Sequence, residues 1–171
     1  GEGQRQSQRL RQDVRFVADA VDARYGRGQD RTRAHATVDR ADQLHTVSLP
    51  ATMTSIGGYA FRDNASLQTL NLPSGVTSIG EGAFAKTSLT SMTIPAGVTT
   101  IESETFRESG IQTVNLPAGL TSIRDFAFER SGLKTLYIPN EVTTISQYAF
   151  YNLPSLTRVT FGESVLSIGS L

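Results

Sequence analysis

The feature that most constrains this chain is a repeat of 22 to 23 residues. Segments written from their leading apolar residue start at Leu44, Leu67, Leu89, Ile111, Leu133 and Leu156, offsets of 23, 22, 22, 22 and 23 residues. Three residues after each start stand Val47, Leu70, Met92, Val114, Leu136 and Val159. Two further on stand Leu49, Leu72, Ile94, Leu116, Ile138 and Phe161. Proline follows in five segments, at Pro50, Pro73, Pro95, Pro117 and Pro139. Later columns hold Met53, Val76, Val98, Leu120, Val142 and Val165, then Ile56, Ile79, Ile101, Ile123, Ile145 and Ile168. A last column holds Phe61, Phe84, Phe106, Phe128 and Phe150. A unit this short cannot bury its own apolar face, and stacking on like neighbours does it instead, so the period predicts a solenoid.

The spacing inside one unit gives its local shape. Apolar residues two apart share one side of a short strand. Proline cannot donate to a strand ladder and ends it. Pro-x-Gly at Pro73–Gly75, Pro95–Gly97 and Pro117–Gly119 predicts a turn with Pro second and Gly fourth. The Val-Thr-Ser/Thr-Ile segment then runs back, and Ala-Phe fills the wide side of the coil. The expected architecture is six repeats over 44–171, the last incomplete. Their short strands stack in parallel at ~4.8 Å into one curved sheet with an irregular, short-strand convex side. Every column residue is expected in the core, and the Phe column is a packing spine.

The pattern Leu-x-x-Leu-x-Ile-Pro-x-x-Val-Thr-x-Ile-Gly-x-x-Ala-Phe resembles the BspA-type leucine-rich repeat. Leu89-Thr-Ser-Met-Thr-Ile-Pro-Ala-Gly-Val-Thr-Thr-Ile101 and Ser78-Ile-Gly-Glu-Gly-Ala-Phe84 carry it most closely. Ser66, Ser88 and Ser155 stand where that family has a small residue or Cys. The resemblance implies a leucine-rich-repeat solenoid in a surface-exposed or secreted protein, used in adhesion. It implies an extracellular or cell-surface location and no shared ligand. The last repeat departs from the pattern by stopping at Ser170-Leu171, before any Ala-Phe. The expectation is a chain cut from a longer array or an end covered by a partner. End-to-end self-association is one such partner mode.

Residues 1–43 lie outside the repeat. They hold nine Arg and seven acids, against seven bases and nine acids in the rest. Leu10, Val14, Val17, Val21 and Tyr25 fall on one helical face. With Ser7 as N-cap and Gly26 as stop, a helix is predicted from about Gln8 to Arg24. Its expected role is to cap the first repeat, a docking element or a tail being the alternatives. Arg9, Arg11, Asp13, Arg15, Asp19, Asp22 and Arg24 mix the two signs as a solvated face does, which argues against nucleic acid. So does the whole-chain balance of 16 basic and 16 acidic residues.

Little in the chain suggests chemistry. There is no cysteine, so thiolate metal sites and disulfides are excluded. His35 and His45 are the only histidines, and neither has a second ligand at metal spacing. Gly80-Glu81-Gly82 has no Lys or helix start after it and is a repeat turn rather than a phosphate loop. No stretch approaches the ~18 apolar residues of a spanning helix, so no membrane insertion is expected. The opening Gly1-Glu2-Gly3-Gln4-Arg5 lacks a Met and resembles no signal peptide, as in a processed fragment. Asn64-Ala65-Ser66 fits a glycosylation sequon. Neither catalysis nor a cofactor is expected.

The informative surface is the outward side of the strands. Alternation sends Thr46/Ser48, Thr69/Asn71, Ser91/Thr93, Thr113/Asn115, Thr135/Tyr137 and Arg158/Thr160 to solvent. Such ladders keep a sheet soluble, and they also offer adaptable hydrogen-bonding groups. Aromatic and Arg side chains dominate binding hot spots, so the candidate partner-binding set is Tyr137, Arg158, Thr135, Thr160, Asn115 and Thr113. A protein ligand is the first expectation and a glycan the second. Ice or mineral binding by Thr ladders is a remote third, opposed by Tyr137, Arg158, Asn71 and Asn115. If residues 1–43 cap the solenoid, deleting them exposes an apolar end and an unpaired strand edge. The truncated chain should then aggregate or dimerise by light scattering; an unchanged monomer with an unchanged melt would make the segment a tail.

Overall fold

The computed structural model describes residues 33–34, 46–165 and 167–169. It is a parallel-strand solenoid of about five turns, with short strands β1 (Arg33–Ala34), β2 (Thr46–Val47), β3 (Ser55–Ile56), β4 (Thr69–Leu70), β5 (Ser78–Ile79), β6 (Ser91–Thr93), β7 (Thr100–Ile101), β8 (Thr113–Asn115), β9 (Ser122–Ile123), β10 (Thr135–Ile138), β11 (Thr144–Ile145), β12 (Arg158–Phe161) and β13 (Ser167–Ile168). The even-numbered strands form a front face and the odd-numbered ones a back face. Every pairing is parallel and joins residues one repeat apart, such as Met92 with Val114 and Ile101 with Ile123. There is no helix among the described residues; the predicted helix over Gln8–Arg24 lies outside them.

Two expectations need correction. The strands do not form one curved sheet. The back segments pair as regularly as the front ones, and both ladders break between the second and third repeats. The front splits into β2-β4 and β6-β8-β10-β12, the back into β1-β3-β5 and β7-β9-β11-β13. The Pro-x-Gly turn is also placed differently. Val76 N–H donates to Pro73 C=O at 3.1 Å, and Val98, Leu120 and Val142 do the same to Pro95, Pro117 and Pro139. Proline is therefore the first residue of the turn and glycine the third. The ring removes a donor, but the carbonyl stays an acceptor, and the turn uses it.

The third side of the coil has no strands and yet is a ladder. Tyr59 N–H donates to Glu81 C=O (2.7 Å), Gly82 to Ser103 (2.9 Å), Glu104 to Asp125 (3.0 Å) and Phe126 to Gln147 (3.2 Å). The C=O of one residue and the N–H of the next share a peptide unit, so these bonds form one continuous chain. A second runs through the N–H groups of Phe61, Phe84, Phe106 and Phe128, and a third through those of Asp63, Lys86, Glu108 and Arg130. All three point the same way. The N–H groups in between close turns within the repeat, such as Ala60 to Gly57 and Arg62 to Tyr59. This alternation needs left-handed residues four apart. Tyr59 and Asp63 have φ of 58° and 63°, Glu104 and Glu108 of 57° and 53°, Tyr148 and Asn152 of 54° and 51°. Each non-glycine residue there costs roughly 1–2 kcal/mol, which the cross-repeat hydrogen bonds offset.

Inside this corner the Phe column stacks. Successive ring centroids from Phe61 to Phe150 lie 5.7, 5.6, 5.3 and 5.7 Å apart, with planes within 24°. The leading Leu/Ile, Val/Leu and Ile columns close the core against it. Polar side chains at the edge of the core bond to the main chain: Thr87 and Ser109 hydroxyls donate to Phe84 and Phe106 C=O at 2.9 and 2.7 Å. Asn64 belongs to the same column. It is buried, and its Nδ2 donates to Arg62 C=O at 3.3 Å, so the sequon Asn64-Ala65-Ser66 does not present an accessible amide. Phe106→Ala empties a fully buried site and should cost about 3–5 kcal/mol. Exposed Lys86→Ala should cost less than about 0.5 kcal/mol. Urea melts of both variants test the spine; equal effects would overturn it.

Candidate functional site

The front face gathers all six candidate residues. Thr113, Thr135 and Arg158 lie in one row across β8, β10 and β12, in direct register. Asn115, Tyr137 and Thr160 lie in the next row. All six side chains are exposed, while Val114 and Leu136 between them are buried. Tyr137 pairs laterally with Thr160 and Arg158 with Thr135. Tyr137 and Arg158 are therefore diagonal, roughly 8 Å apart from strand spacing and rise. The rows continue through Ser91 and Thr93, and Asn115 Nδ2 donates to Thr93 Oγ1 at 3.2 Å. Neighbouring strands hold these side chains, so little ordering entropy opposes a contact made through them.

The break in the ladders adds a feature that spacing alone did not show. Between β4 and β6 lies a shallow cleft of about 200 Å³, lined by Leu70, Asn71, Leu72, Ser74, Thr93 and Pro95. Its apolar floor carries two hydroxyls and an amide. It opens beside the rows and can take a small polar group of a partner.

The corner carries the charges. Among the described residues the ion pairs link Arg62, Asp63, Lys86, Glu104, Arg107, Glu108 and Glu129. Most are partly open to solvent and contribute little. Arg107 with Glu129 is different: Nε to Oε2 is 2.7 Å, and the Glu129 side chain is 7% exposed. The Tyr59 hydroxyl donates to the Glu81 carboxylate, and that hydrogen bond, then desolvation and the Glu81 and Glu104 charges, push its pKa above the usual tyrosine range; Arg62 opposes this. An exposed aromatic group lies at the C-terminal half of the corner. Phe126 stacks on Tyr148 at 5.3 Å, Tyr151 meets Tyr148 edge-on at 5.7 Å, and the Arg107 guanidinium lies 5.9 Å from the Phe126 ring centre. The signal for it was present: residues two before each column Phe (Tyr59, Gly82, Glu104, Phe126, Tyr148) turn outward by the same alternation that turns Phe inward.

Among the described residues, no three His, Asp or Glu side chains converge as a metal-ligand set, and no helix is long and apolar enough to cross a membrane. A BspA type leucine rich repeat region, in six copies, matches residues 38–157. No curated protein sequence matches the chain. Among solved structures it is similar to a leucine rich cell surface protein from Faecalibacterium prausnitzii, at 30% identity and TM-score 0.54 over 71% of this chain and 40% of that one. It is also similar to a leucine-rich repeat protein from Eubacterium ventriosum, at 30% identity and TM-score 0.66 over 72% of this chain and 33% of that one. The chain thus spans well under half the length of either.

Removing Arg107 leaves the Glu129 carboxylate without its partner. Arg107→Ala should destabilise by about 1–3 kcal/mol, the usual cost of a stranded buried polar group. Adding Glu129→Gln should recover part of that loss, as a double-mutant cycle by thermal melts will read. Strict additivity would mean the pair is not coupled.

Proposed function

We propose, from the premise that the chain belongs to the BspA-type leucine-rich repeat family, that it is a non-catalytic recognition and adhesion module that binds a protein partner through the front face near β10 and β12. The observation that carries this is the register of β8, β10 and β12, which sets Tyr137 and Arg158 on a rigid field of Thr and Asn side chains. Thr, Ser and Asn supply hydrogen bonds but little apolar area. The aromatic ring, 55% exposed, and the guanidinium supply the anchor. We place the protein outside the cell or on its surface, in keeping with the printed description of the Faecalibacterium prausnitzii relative. In this reading residues 1–43 cap the repeats, which begin at about residue 44.

A glycan is the second reading. The cleft of Asn71, Ser74 and Thr93 over Leu72 and Pro95 favours it, since hydroxyl and amide groups beside an apolar floor suit a sugar ring. Immobilised arrays of extracellular proteins and of glycans separate the two. With the ligand so identified, Tyr137→Ala combined with Arg158→Ala should weaken binding by at least about 2 kcal/mol, without altering the melt. Arg124→Ala with Asp125→Ala, on the far side of the coil, should not. Surface plasmon resonance is the measurement, and the opposite pattern would move the site to the back of the coil.

A further inference from the structure

Neighbouring turns are tied by backbone bonds at equivalent positions, so one boundary can be compared with another. On the front, Gln112 N–H donates to Thr90 C=O at 2.8 Å, Lys134 to Gln112 at 3.0 Å and Thr157 to Lys134 at 2.9 Å. On the back, Thr77 N–H donates to Thr54 C=O at 2.8 Å, Thr121 to Thr99 at 2.8 Å and Thr143 to Thr121 at 3.0 Å. Three residues further on, Gly80 donates to Ile56 at 2.9 Å, Arg124 to Ile101 at 2.9 Å and Ser146 to Ile123 at 2.8 Å. The boundary between the second and third repeats interrupts all three series. Among the described residues, Thr90 N–H makes no bond to Gln68 C=O, Thr99 none to Thr77 and Glu102 none to Ile79. The strand ladders of both faces lapse at the same boundary. Only the corner side stays tied there, by the N–H groups of Gly82, Phe84 and Lys86, each at 2.9 Å, and by Gly110 N–H to Thr87 C=O at 2.8 Å. Elsewhere the two turns meet through apolar side chains, Leu70 and Ile79 on one side and Met92 and Ile101 on the other, all buried.

We propose that the boundary between the second and third repeats is a hinge: residues 46–88 move as one body against residues 89–165, with the corner as pivot, and the front cleft widens and narrows as they bend. A solenoid is held by nearest-neighbour interfaces, so it yields at the interface with the fewest ties. Hydrogen bonds are directional and fix the angle between two turns. Apolar contact is non-directional and allows a tilt. With the corner tied and both faces untied, the motion left is a rotation about the corner, the hinge mode of packed bodies. The cleft is placed to respond to it. Leu70, Asn71, Leu72 and Ser74 belong to one body, and Thr93 and Pro95 to the other. Ser74 and Pro95 lie in the turns that join front to back, across the coil from the corner, where the lever arm is longest. The hinge rests on neither reading of what the protein binds. It gives the cleft an adjustable width and leaves the rows from β6 onward rigid.

Nitrogen-15 relaxation dispersion on the whole chain reads microsecond-to-millisecond exchange. It should show exchange at residues 68–72, 77–80, 90–95 and 99–102, and flat profiles at 112–116 and 121–124. The chain has no cysteine, so a single disulfide can lock the boundary. Asn71 and Thr93 are exposed at equivalent positions of adjacent turns, and such positions fall within the ~4.4–6.8 Å between Cα atoms that a disulfide spans. Oxidising Asn71→Cys with Thr93→Cys should flatten the profiles on both faces, and reduction should restore them. Gln68→Cys with Thr90→Cys, also on the front, is an independent lock, and circular dichroism of the reduced forms checks that each variant folds. Residues 77–80 and 99–102 decide the matter, because a bridge on the front quiets the back only if two bodies move as units. The amides of Thr99 and Glu102 should also exchange with deuterium about tenfold or more faster than those of Thr121 and Arg124. Flat profiles across the boundary overturn the proposal, as does exchange of equal size at every boundary. So does exchange on the back that persists in the oxidised forms, or protection of Thr99 and Glu102 equal to that of Thr121 and Arg124.

Discussion

The structure depends on peptide groups that are satisfied from one repeat to the next. No unit of 22 residues closes a core, so each backbone donor and acceptor that faces along the axis must find its partner in a neighbouring turn. On the front and back faces short parallel strands do this. At the corner the same need is met with left-handed residues four apart, and every second N–H there turns along the axis. The Phe stack lies just inside those hydrogen bonds, and each supports the other. Without the stack the corner would have no floor; without the corner ladder the left-handed Tyr, Asp, Glu and Asn residues would be strained with no return.

This arrangement explains where the solenoid gives way. Between the second and third repeats the strand ladders lapse on both faces, yet the corner bonds from Gly82, Phe84 and Lys86 are intact at 2.9 Å, and the Phe84–Phe106 stack persists at 5.6 Å. The corner is therefore the continuous element, and the faces are fitted to it. A cleft opens on the front where the ladder lapses. The rows of the candidate surface stay regular from β6 onward, where the ladder is unbroken. Rigidity of that surface is a property of the ladder beneath it, since Val114 and Leu136 anchor the same strands whose alternate residues face outward.

Polarity is a second consequence. Three chains of peptide units with a common direction give the corner a polarity along the coil axis, each N–H pointing to the following turn. Ion pairs such as Arg107 with Glu129 tie adjacent turns at the corner, while the candidate rows of the front face are mostly uncharged Thr, Ser and Asn side chains. Structure and recognition are in this way divided between the sides of one coil.

Much of this was legible in the chain. The period, the apolar columns, the Phe spine and the outward positions of Thr113, Asn115, Thr135, Tyr137, Arg158 and Thr160 follow from spacing, because a repeat fixes which residues share an environment before any coordinates exist. Tertiary structure decided what spacing is silent about. A proline excludes a donor but does not say whether its carbonyl closes the turn. The segment Val-Thr-Ser-Ile admits either irregular chain or a paired ladder, and only its neighbours determine which. Asn64 fits a sequon by sequence and is buried by the column it joins. The left-handed corner has no residue signature at Lys86, Glu104 or Arg130, since its conformation is held by hydrogen bonds to the adjacent turn rather than by local preference.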